Sequence, residues 1–237
     1  MAGPNLKIAA SAEVAAAECA SFILSTLVES LTIKPVATLA ISGGTTPKLL
    51  FADLAKSGFD WSKVHLFWVD ERCVPPTDSQ SNFKLANDTW LAPANYPAAN
   101  IHRVLGELEP VEGGRKYAAE IGEFFGAGIP AFDILHRGMG PDAHTASLFP
   151  DEPLIENRTD IATNVWVEKF KMHRVTLLPG VLLAARKTVL QVSGADKADA
   201  AKDVIEGVDN WLKFPCQIAS RGQNATWFMD EAAAAKL

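Results

Sequence analysis

Short apolar runs alternate with segments of helical periodicity along the chain. Near-continuous apolar runs are typical of strands that are covered on both faces, as in parallel sheets. We therefore expect strands at residues 36–42, 64–69, 132–135, 175–178, 188–193 and 226–229, with the last one at an edge of the sheet.

Helices are predicted between these strands. Ser11 can cap a helix whose apolar positions follow helical spacing, namely Val14, Ala17, Ala20, Leu24 and Leu27. Further helices are expected near 49–54, 181–185 and 197–206. Alternating strands and helices imply crossover connections, so we expect an α/β fold with a mostly parallel sheet and helices on both faces. No Gly-, Ser- or Pro-rich linker and no repeat divides residues 1–237, which predicts a single domain.

Composition and charge exclude several classes of protein. Hydrophobic residues make up 48% of the chain and charged residues 21%, as in globular enzymes and unlike disordered chains. The net charge is −6 and there is no basic run, which argues against a nucleic-acid partner. An anionic ligand would therefore need local cations and backbone N–H groups.

The cysteines and the N-terminal region indicate the compartment. Cys19, Cys73 and Cys216 are odd in number and lack a C-x-x-C spacing, which predicts reducing surroundings and no structural zinc. Glu13 and Glu18 interrupt the N-terminal alanines, so we expect no signal peptide. No stretch of 18 apolar residues occurs, and we expect a cytoplasmic protein with no membrane partner.

Four segments that follow predicted strands should lie together, because ligands bind outside the carboxyl ends of strands in such sheets. They are 42–47, 70–72, 138–145 and 193–197. In the first, Gly43 and Gly44 let the backbone approach a ligand, Thr45 adds a hydroxyl group, and the helix start offers free N–H groups to an anion. The segment lacks the dinucleotide and Walker patterns, and a simple tight turn stays open as the alternative.

The second segment places Asp70, Glu71 and Arg72 at the end of an apolar strand. A solvated loop is one interpretation. The other puts Arg72 over a substrate oxygen with a carboxylate holding the guanidinium in place. Asn82, which follows a Pro-Pro loop, is a candidate polar contact.

The stretch 138–147 is the most informative. His144 stands at a strand-to-helix turn, where a general base is useful, and Asp142 could orient it or help to hold an attacking water. Structural roles are expected for the other histidines, and no pair has metal-binding spacing, so we expect no metal. Arg174 and Lys197 are either surface charges or a clamp for a phosphate.

Together these motifs resemble those of the 6-phosphogluconolactonase family. The resemblance runs in order from about residue 11 to the closing segment 227–232 and covers nearly the whole chain. It is carried by SGGTTP at 42–47, DER at 70–72 with SN at 81–82, PDAHTASLFP at 141–150, and Gly194 with KA at 197–198. The HTASLF run is specific, whereas the SGG motif also occurs in the related glucosamine-6-phosphate isomerase/deaminase group.

The resemblance implies a three-layer, Rossmann-like fold and hydrolysis of 6-phosphoglucono-δ-lactone, a small-molecule substrate, in the oxidative pentose phosphate pathway. It implies no cofactor, no metal and no obligatory protein partner. By motif, His144 would be the general base, Asp142 would support the site, and Arg72 would neutralise charge near the substrate. The 6-phosphate would be held by Gly43, Gly44 and Thr45 with Arg174 and Lys197, and Asp70 and Asn82 would add contacts to the substrate.

Two departures from the family pattern matter. Ala143 stands where the family usually has glycine, so a positive φ at this position would cost roughly 1 kcal/mol or change the turn. His136 and Arg137 replace an apolar pair before Gly138. They either face the cleft, where Arg137 would add a substrate contact, or have a structural role.

Two alternative functions share the same phosphate cradle. A hexosamine-6-phosphate deaminase/isomerase would need further carboxylates and an Asn-Glu-Pro segment after the histidine, where this chain has ASLFP at 146–150. A non-enzymatic sugar-phosphate sensor would bind phosphate without turnover, although His144 and Arg72 are both present.

Overall fold

The apolar runs form a central sheet of parallel strands. A computed structural model describes residues 3–237 and contains β1 (Asn5–Ala9), β2 (Ala37–Ile41), β3 (Val64–Trp68), β4 (Asp70–Arg72), β5 (Ile101–His102), β6 (Ile134–Arg137), β7 (Ala162–Val167), β8 (Met172–Leu177), β9 (Lys187–Val192) and β10 (Ala225–Asp230). Seven of these strands form the central sheet in the order β1-β10-β9-β6-β2-β3-β5, and every neighbouring pair is parallel.

Helices cover both faces of this sheet, which confirms the predicted α/β fold. They are α1 (Ala12–Ile33), α2 (Pro47–Lys56), α3 (Asn82–Ala86), α4 (Pro110–Phe125), α5 (Pro179–Ala184) and α6 (Ala198–Ile205). On one face, the ring of Phe22 in α1 lies 5.6 Å from that of Phe228 in β10. On the other face, Leu190 and Trp227 join Val204 of α6 in a second apolar cluster. The result is three layers.

A smaller antiparallel sheet, in the order β4-β8-β7, continues from the end of β3. Val69 joins the two sheets, because its N–H donates to the carbonyl of Ile41 in β2 and its own carbonyl accepts from Leu177 in β8, both at 2.8 Å. The predicted strand at 175–178 belongs to β8 and so lies outside the central sheet. One hydrophobic cluster contains both Leu39 and Val175, which supports our proposal of a single domain.

The first helix begins as predicted but presents a different face. The hydroxyl of Ser11 caps it by accepting from the N–H of Val14 at 3.4 Å. Of the apolar positions that follow helical spacing, Val14 and Ala17 are exposed. Apolar residues occur on every side of this helix, so the sequence spacing does not identify the side that is buried. Packing buries the side that is rich in small side chains. The buried stripe is Ala15, Ala16, Cys19, Ala20, Ile23, Thr26 and Leu27.

By length and composition, α1 is also apolar enough to cross a membrane, with a mean hydropathy of 1.5. In this fold it packs against α2 and β10. It is therefore placed as a core helix of the α/β architecture.

The prediction that 226–229 form an edge strand is wrong. β10 lies between β1 and β9, and all six of its residues are buried. β1 lies at this edge of the sheet, and it was not predicted because three of its five residues are exposed and give no apolar run. The strands β5 and β7 were not predicted either, because β5 has only two residues and β7 is buried at three of its six positions, so neither gives a continuous apolar run.

Helix α4 was not predicted because glycine weakens a helical signal. The close approach of α4 to β7 accounts for Gly114, where a Cβ would lie 2.8 Å from the backbone nitrogen of Asn164. Packing of this helix on the antiparallel sheet therefore overrides its poor propensity.

The pair His136 and Arg137 ends β6 and is fully buried. Nε2 of His136 lies 3.3 Å from Oε1 of Gln191 in β9. Burial lowers the pKa of His136 to about 4, and the hydrogen bond to Gln191 only partly opposes this effect. The fold therefore accommodates the neutral imidazole.

We expect His136→Met to flatten the acid dependence of stability. Between an ordinary histidine pKa of 6.5 and about 4, the unfolded chain binds a proton that the folded chain does not, so stability falls as pH falls. From pH 7 to pH 4.5 the wild type should lose roughly 2–3 kcal/mol more unfolding free energy than the variant. Urea unfolding at both pH values measures this difference, and equal losses in the two proteins would contradict it.

Candidate active site

The carboxyl ends of β2, β6 and β9 meet at one edge of the central sheet and bound a cleft of about 410 Å³. The four segments that the sequence analysis grouped meet here. The cleft is lined by residues 42–47, 138–141 and 144–146 and by Asp70, Arg72, Asn82, Arg174, Gln191, Ser193, Asp196 and Lys197. Of the predicted site residues, Asp142 alone is outside this lining, and it stands behind His144.

His144 and Asp142 form a hydrogen-bonded pair. Nδ1 of His144 donates to Oδ1 of Asp142 at 2.5 Å, which leaves Nε2 as the nitrogen that can accept a proton. Burial opposes ionisation of Asp142, but its bonds with His144 and Lys169 outweigh this and hold the pKa of that carboxyl well below its usual range. Gly140 makes the ring position possible, since a Cβ there would lie 2.0 Å from Nδ1 of His144.

Two residues that the sequence analysis did not single out complete the surroundings of His144. The ring of Phe149 stacks on the imidazole with centroids 4.2 Å apart. Nζ of Lys169, from the turn between β7 and β8, lies 2.9 Å from Oδ2 of Asp142. Phe149 belongs to the motif that contains His144, whereas the sequence carries no signal that the β7–β8 turn reaches this carboxylate.

The turn that carries His144 contains left-handed backbone at two alanines. Ala143 has φ +62° and Ala146 has φ +53°. A non-glycine residue in this region costs about 1–2 kcal/mol, so other contacts must hold the turn. The carbonyl of Ala143 accepts from the N–H of Cys216 at 2.9 Å, and the hydroxyl of Thr145 donates to the carbonyl of Gly138 at 2.9 Å.

The glycine-rich segment 42–47 packs closely on Asn82. A Cβ on Gly43 would lie 2.0 Å from Oδ1 of Asn82, so only glycine fits. Gly44 has φ +111°, which also requires glycine. Pro47 begins α2. Residues 42–47 thus line the cleft at the start of a helix, where backbone N–H groups commonly bind anions.

The buried carboxylate of Glu71 anchors the loop that carries Asn82. It accepts four hydrogen bonds, from the N–H groups of Arg72, Asn82 and Phe83 and from the hydroxyl of Ser81, at 2.7–3.0 Å. Burial raises the pKa of Glu71, although these hydrogen bonds oppose the shift. The expectation that a carboxylate holds the Arg72 guanidinium is wrong, because Glu71 binds backbone N–H groups and the guanidinium donates to the carbonyl of Gln80.

Arg72 and Arg174 stand directly opposite each other on the antiparallel strands β4 and β8. Like charges at such positions destabilise a sheet. Burial lowers the pKa of Arg174, and Asp70, 3.9 Å away, opposes this effect while Arg72 adds to it. Asp70 also accepts from the hydroxyl of Ser147 at 2.7 Å. Within residues 3–237 the buried Nε atoms of both arginines find no acceptor, and both residues line the cleft.

Lys197 lines the cleft from the segment that follows β9. Its Nζ is 2.5 Å from Oδ2 of Asp196. Gln191 was not predicted as a lining residue, whereas Ser193 lies in the segment 193–197 that was expected here. The polar side chain of Gln191 stands out in the apolar run at 188–193, a signal that reasoning from the sequence could have used.

The remaining histidines lie outside this lining. His65 and His102 pair at 2.9 Å beneath α4, and His102 also contacts Glu120 at 2.8 Å. Across residues 3–237, no cluster of three or more His, Cys, Asp or Glu side chains is arranged to hold a metal ion.

Comparison with known proteins gives a consistent result. The family described as glucosamine-6-phosphate isomerases/6-phosphogluconolactonase matches residues 10–228. The 6-phosphogluconolactonase of Nostoc sp. is 35% identical over 84% of each chain. That of Synechocystis sp. is 33% identical over the same shares.

Solved structures agree. The crystal structure of the devB protein superposes with a TM-score of 0.89 at 32% identity, covering 98% of this chain and 99% of that one. A monomeric glucosamine-6-phosphate deaminase superposes with a TM-score of 0.84 over 98% of this chain and all of the other. Its identity is 18%, so that likeness shows the fold alone.

We expect Lys169→Met to raise the pKa of Asp142, because the hydrogen bond from Lys169 is one of the contacts that lower it. Lys169 is half exposed, so the rise should be small. NMR titration of the Asp142 carboxyl carbon measures it. Lys171→Met, two residues away and paired with Glu168, is the matched control. No rise in Lys169→Met, or equal rises in both variants, would contradict the assignment.

Proposed function

The chain belongs to the family of glucosamine-6-phosphate isomerases and 6-phosphogluconolactonases, and we propose that it hydrolyses 6-phospho-D-glucono-1,5-lactone to 6-phospho-D-gluconate. One observation carries this proposal. The imidazole of His144, oriented by Asp142, faces a cleft that also holds two arginines whose Nε atoms lack acceptors. A general base and an anion site in one cleft are what hydrolysis of a phosphorylated lactone requires.

The reaction needs one base and a positioned water. Nε2 of His144 takes a proton from water as the water oxygen bonds to the lactone carbonyl carbon. The negative charge that develops on the carbonyl oxygen is stabilised by Arg72. The tetrahedral intermediate then breaks its bond to the ring oxygen, which receives the proton from His144. Asp142 holds the imidazole in the required tautomer and stabilises its protonated form.

The substrate phosphate is assigned to the wall formed by 43–45, Arg174 and Lys197. Backbone N–H groups before α2 and a buried guanidinium supply donors for phosphate oxygens. Asn82 and Asp70 order this wall: the Asn82 amide donates to the carbonyl of Asp70 at 2.9 Å.

We also propose that the enzyme works in the cytoplasm without metal or cofactor. Nucleic acid, membrane and an obligatory protein partner are not needed for this chemistry. The net charge of −6 and the three cysteines, all free, support these assignments.

The direct test is the disappearance of freshly generated 6-phosphoglucono-δ-lactone with and without protein, with unphosphorylated gluconolactone run in parallel. A large acceleration confined to the phosphorylated lactone supports the proposal. Binding of 6-phosphogluconate without acceleration would indicate a sensor, and release of ammonia from glucosamine 6-phosphate would indicate a deaminase.

We expect His144→Asn to abolish most of the hydrolysis while the variant still binds 6-phosphogluconate. Loss of a general base should lower kcat by about 10²–10⁴-fold. His173→Asn is the control, since His173 lies beside Arg174 on β8 but outside the cleft lining. A His144 variant with the wild-type rate would show that another group is the base.

We expect Arg174→Met to raise KM for the phosphorylated lactone by about 10- to 100-fold, the effect of losing a charge-assisted hydrogen bond. The kcat for this substrate should change little, because the reacting carbonyl is assigned to Arg72. The exposed Arg115→Met serves as a control for loss of one positive charge. A fall in kcat with KM unchanged would place Arg174 at the reacting carbonyl instead of the phosphate.

A further inference from the structure

Arg137 is a fully buried arginine that the proposed mechanism does not use. It lies in register with Leu190 on β9, and Leu190 belongs to the apolar cluster that also contains Ala143 and Cys216. Burial lowers the pKa of Arg137, only partly opposed by Cys216, and in the part of the chain that the structure describes no carboxylate forms an ion pair with it. A buried guanidinium without a counter-ion is costly, so a purely apolar residue would serve stability better.

Among residues 3–237 the guanidinium makes one hydrogen bond, and its acceptor lies in a turn that contacts the segment carrying His144. Nη2 of Arg137 donates to the carbonyl of Ile218. Ile218 closes the helical turn Pro215–Gln217, because its N–H donates to the carbonyl of Pro215 at 3.0 Å. Within that turn, the N–H of Cys216 donates to the carbonyl of Ala143.

The chain and these hydrogen bonds together form a closed loop of contacts that includes the strained residue Ala143. The chain leaves Arg137, passes Gly138 and Gly140, and reaches Ala143 at φ +62°, while the hydrogen bonds return from Ala143 to Arg137 through the turn at 215–218. An alanine keeps a left-handed conformation only where its surroundings determine it. The next residue is His144.

We propose that Arg137 is a positioning residue for His144. Its guanidinium fixes the 215–218 turn, the turn fixes Ala143 in the left-handed conformation, and this conformation sets the imidazole against Asp142. Arg137 does not line the cleft. The inference depends on the proposed function only where its test measures the rate of hydrolysis.

The test is a double-mutant cycle between Arg137 and Ala143. Arg137→Met should keep or raise the thermal midpoint, because a costly buried charge is removed, yet lower kcat by roughly 10- to 100-fold as the base is misplaced, with KM little changed. Glycine adopts a positive φ without help. In the Ala143→Gly background, Arg137→Met should therefore lower kcat by less than about threefold.

Ala146→Gly is the matched control. It also relieves a left-handed alanine in the same segment, but the contact from Cys216 is made to Ala143, so it should not restore the activity of Arg137→Met. Full activity of Arg137→Met, equal rescue by both glycine variants, or parallel loss of activity and thermal stability would overturn the proposal.

A second readout does not need turnover. The NMR signals of the His144 ring should move in Arg137→Met and return in the double variant with Ala143→Gly. If the wild type does not hydrolyse the lactone but these signals behave as described, the proposed function fails and the positioning role stands. If hydrolysis is found and the signals are unaffected by Arg137→Met, the positioning role fails alone.

Discussion

The parallel register of β2, β6 and β9 is the constraint on which the rest of the structure depends. Because these strands run in the same direction, the segments that follow them emerge at one edge of the sheet. The N–H of Ser42 extends this ladder by donating to the carbonyl of His136 at 3.1 Å. The glycine-rich loop and the turn that leads to His144 therefore start from two hydrogen-bonded strands. Val69 uses the same edge to attach the small sheet that carries both arginines.

The cleft contains like charges whose close placement lowers the stability of the fold. Arg72 stands opposite Arg174 on neighbouring strands. Neither Asp70 nor Glu71 neutralises both positive charges, because the carboxylate oxygens of Glu71 accept hydrogen bonds from backbone N–H groups. Positive charge is thus concentrated at one site in a protein whose net charge is −6. Such local concentration lets an acidic protein bind an anion without a basic surface.

Backbone strain and buried charge occur together near His144. Ala143 and Ala146 adopt positive φ, and Arg137 lies buried without a counter-ion beneath the same turn. Apolar clusters on both faces of the sheet supply the stability that these positions remove. Functional sites are where such local conflicts are expected, because a flexible turn could not hold a base to the accuracy that catalysis needs.

The sequence by itself determined the α/β architecture and most of the cleft. Continuous apolar runs indicate directly which segments are buried. Motifs such as 42–47 and 138–147 contain both the glycines that set the backbone geometry and the reactive side chains, so Gly43, His144 and Asp142 could be identified from local sequence. Only the tertiary structure decided the place of β10 inside the sheet, the buried side of α1, the partner of Glu71, the reach of Lys169 and the contact of Arg137. Each of these depends on residues far apart in the chain, whose pairing is set by packing and leaves no periodic or local signal in the sequence.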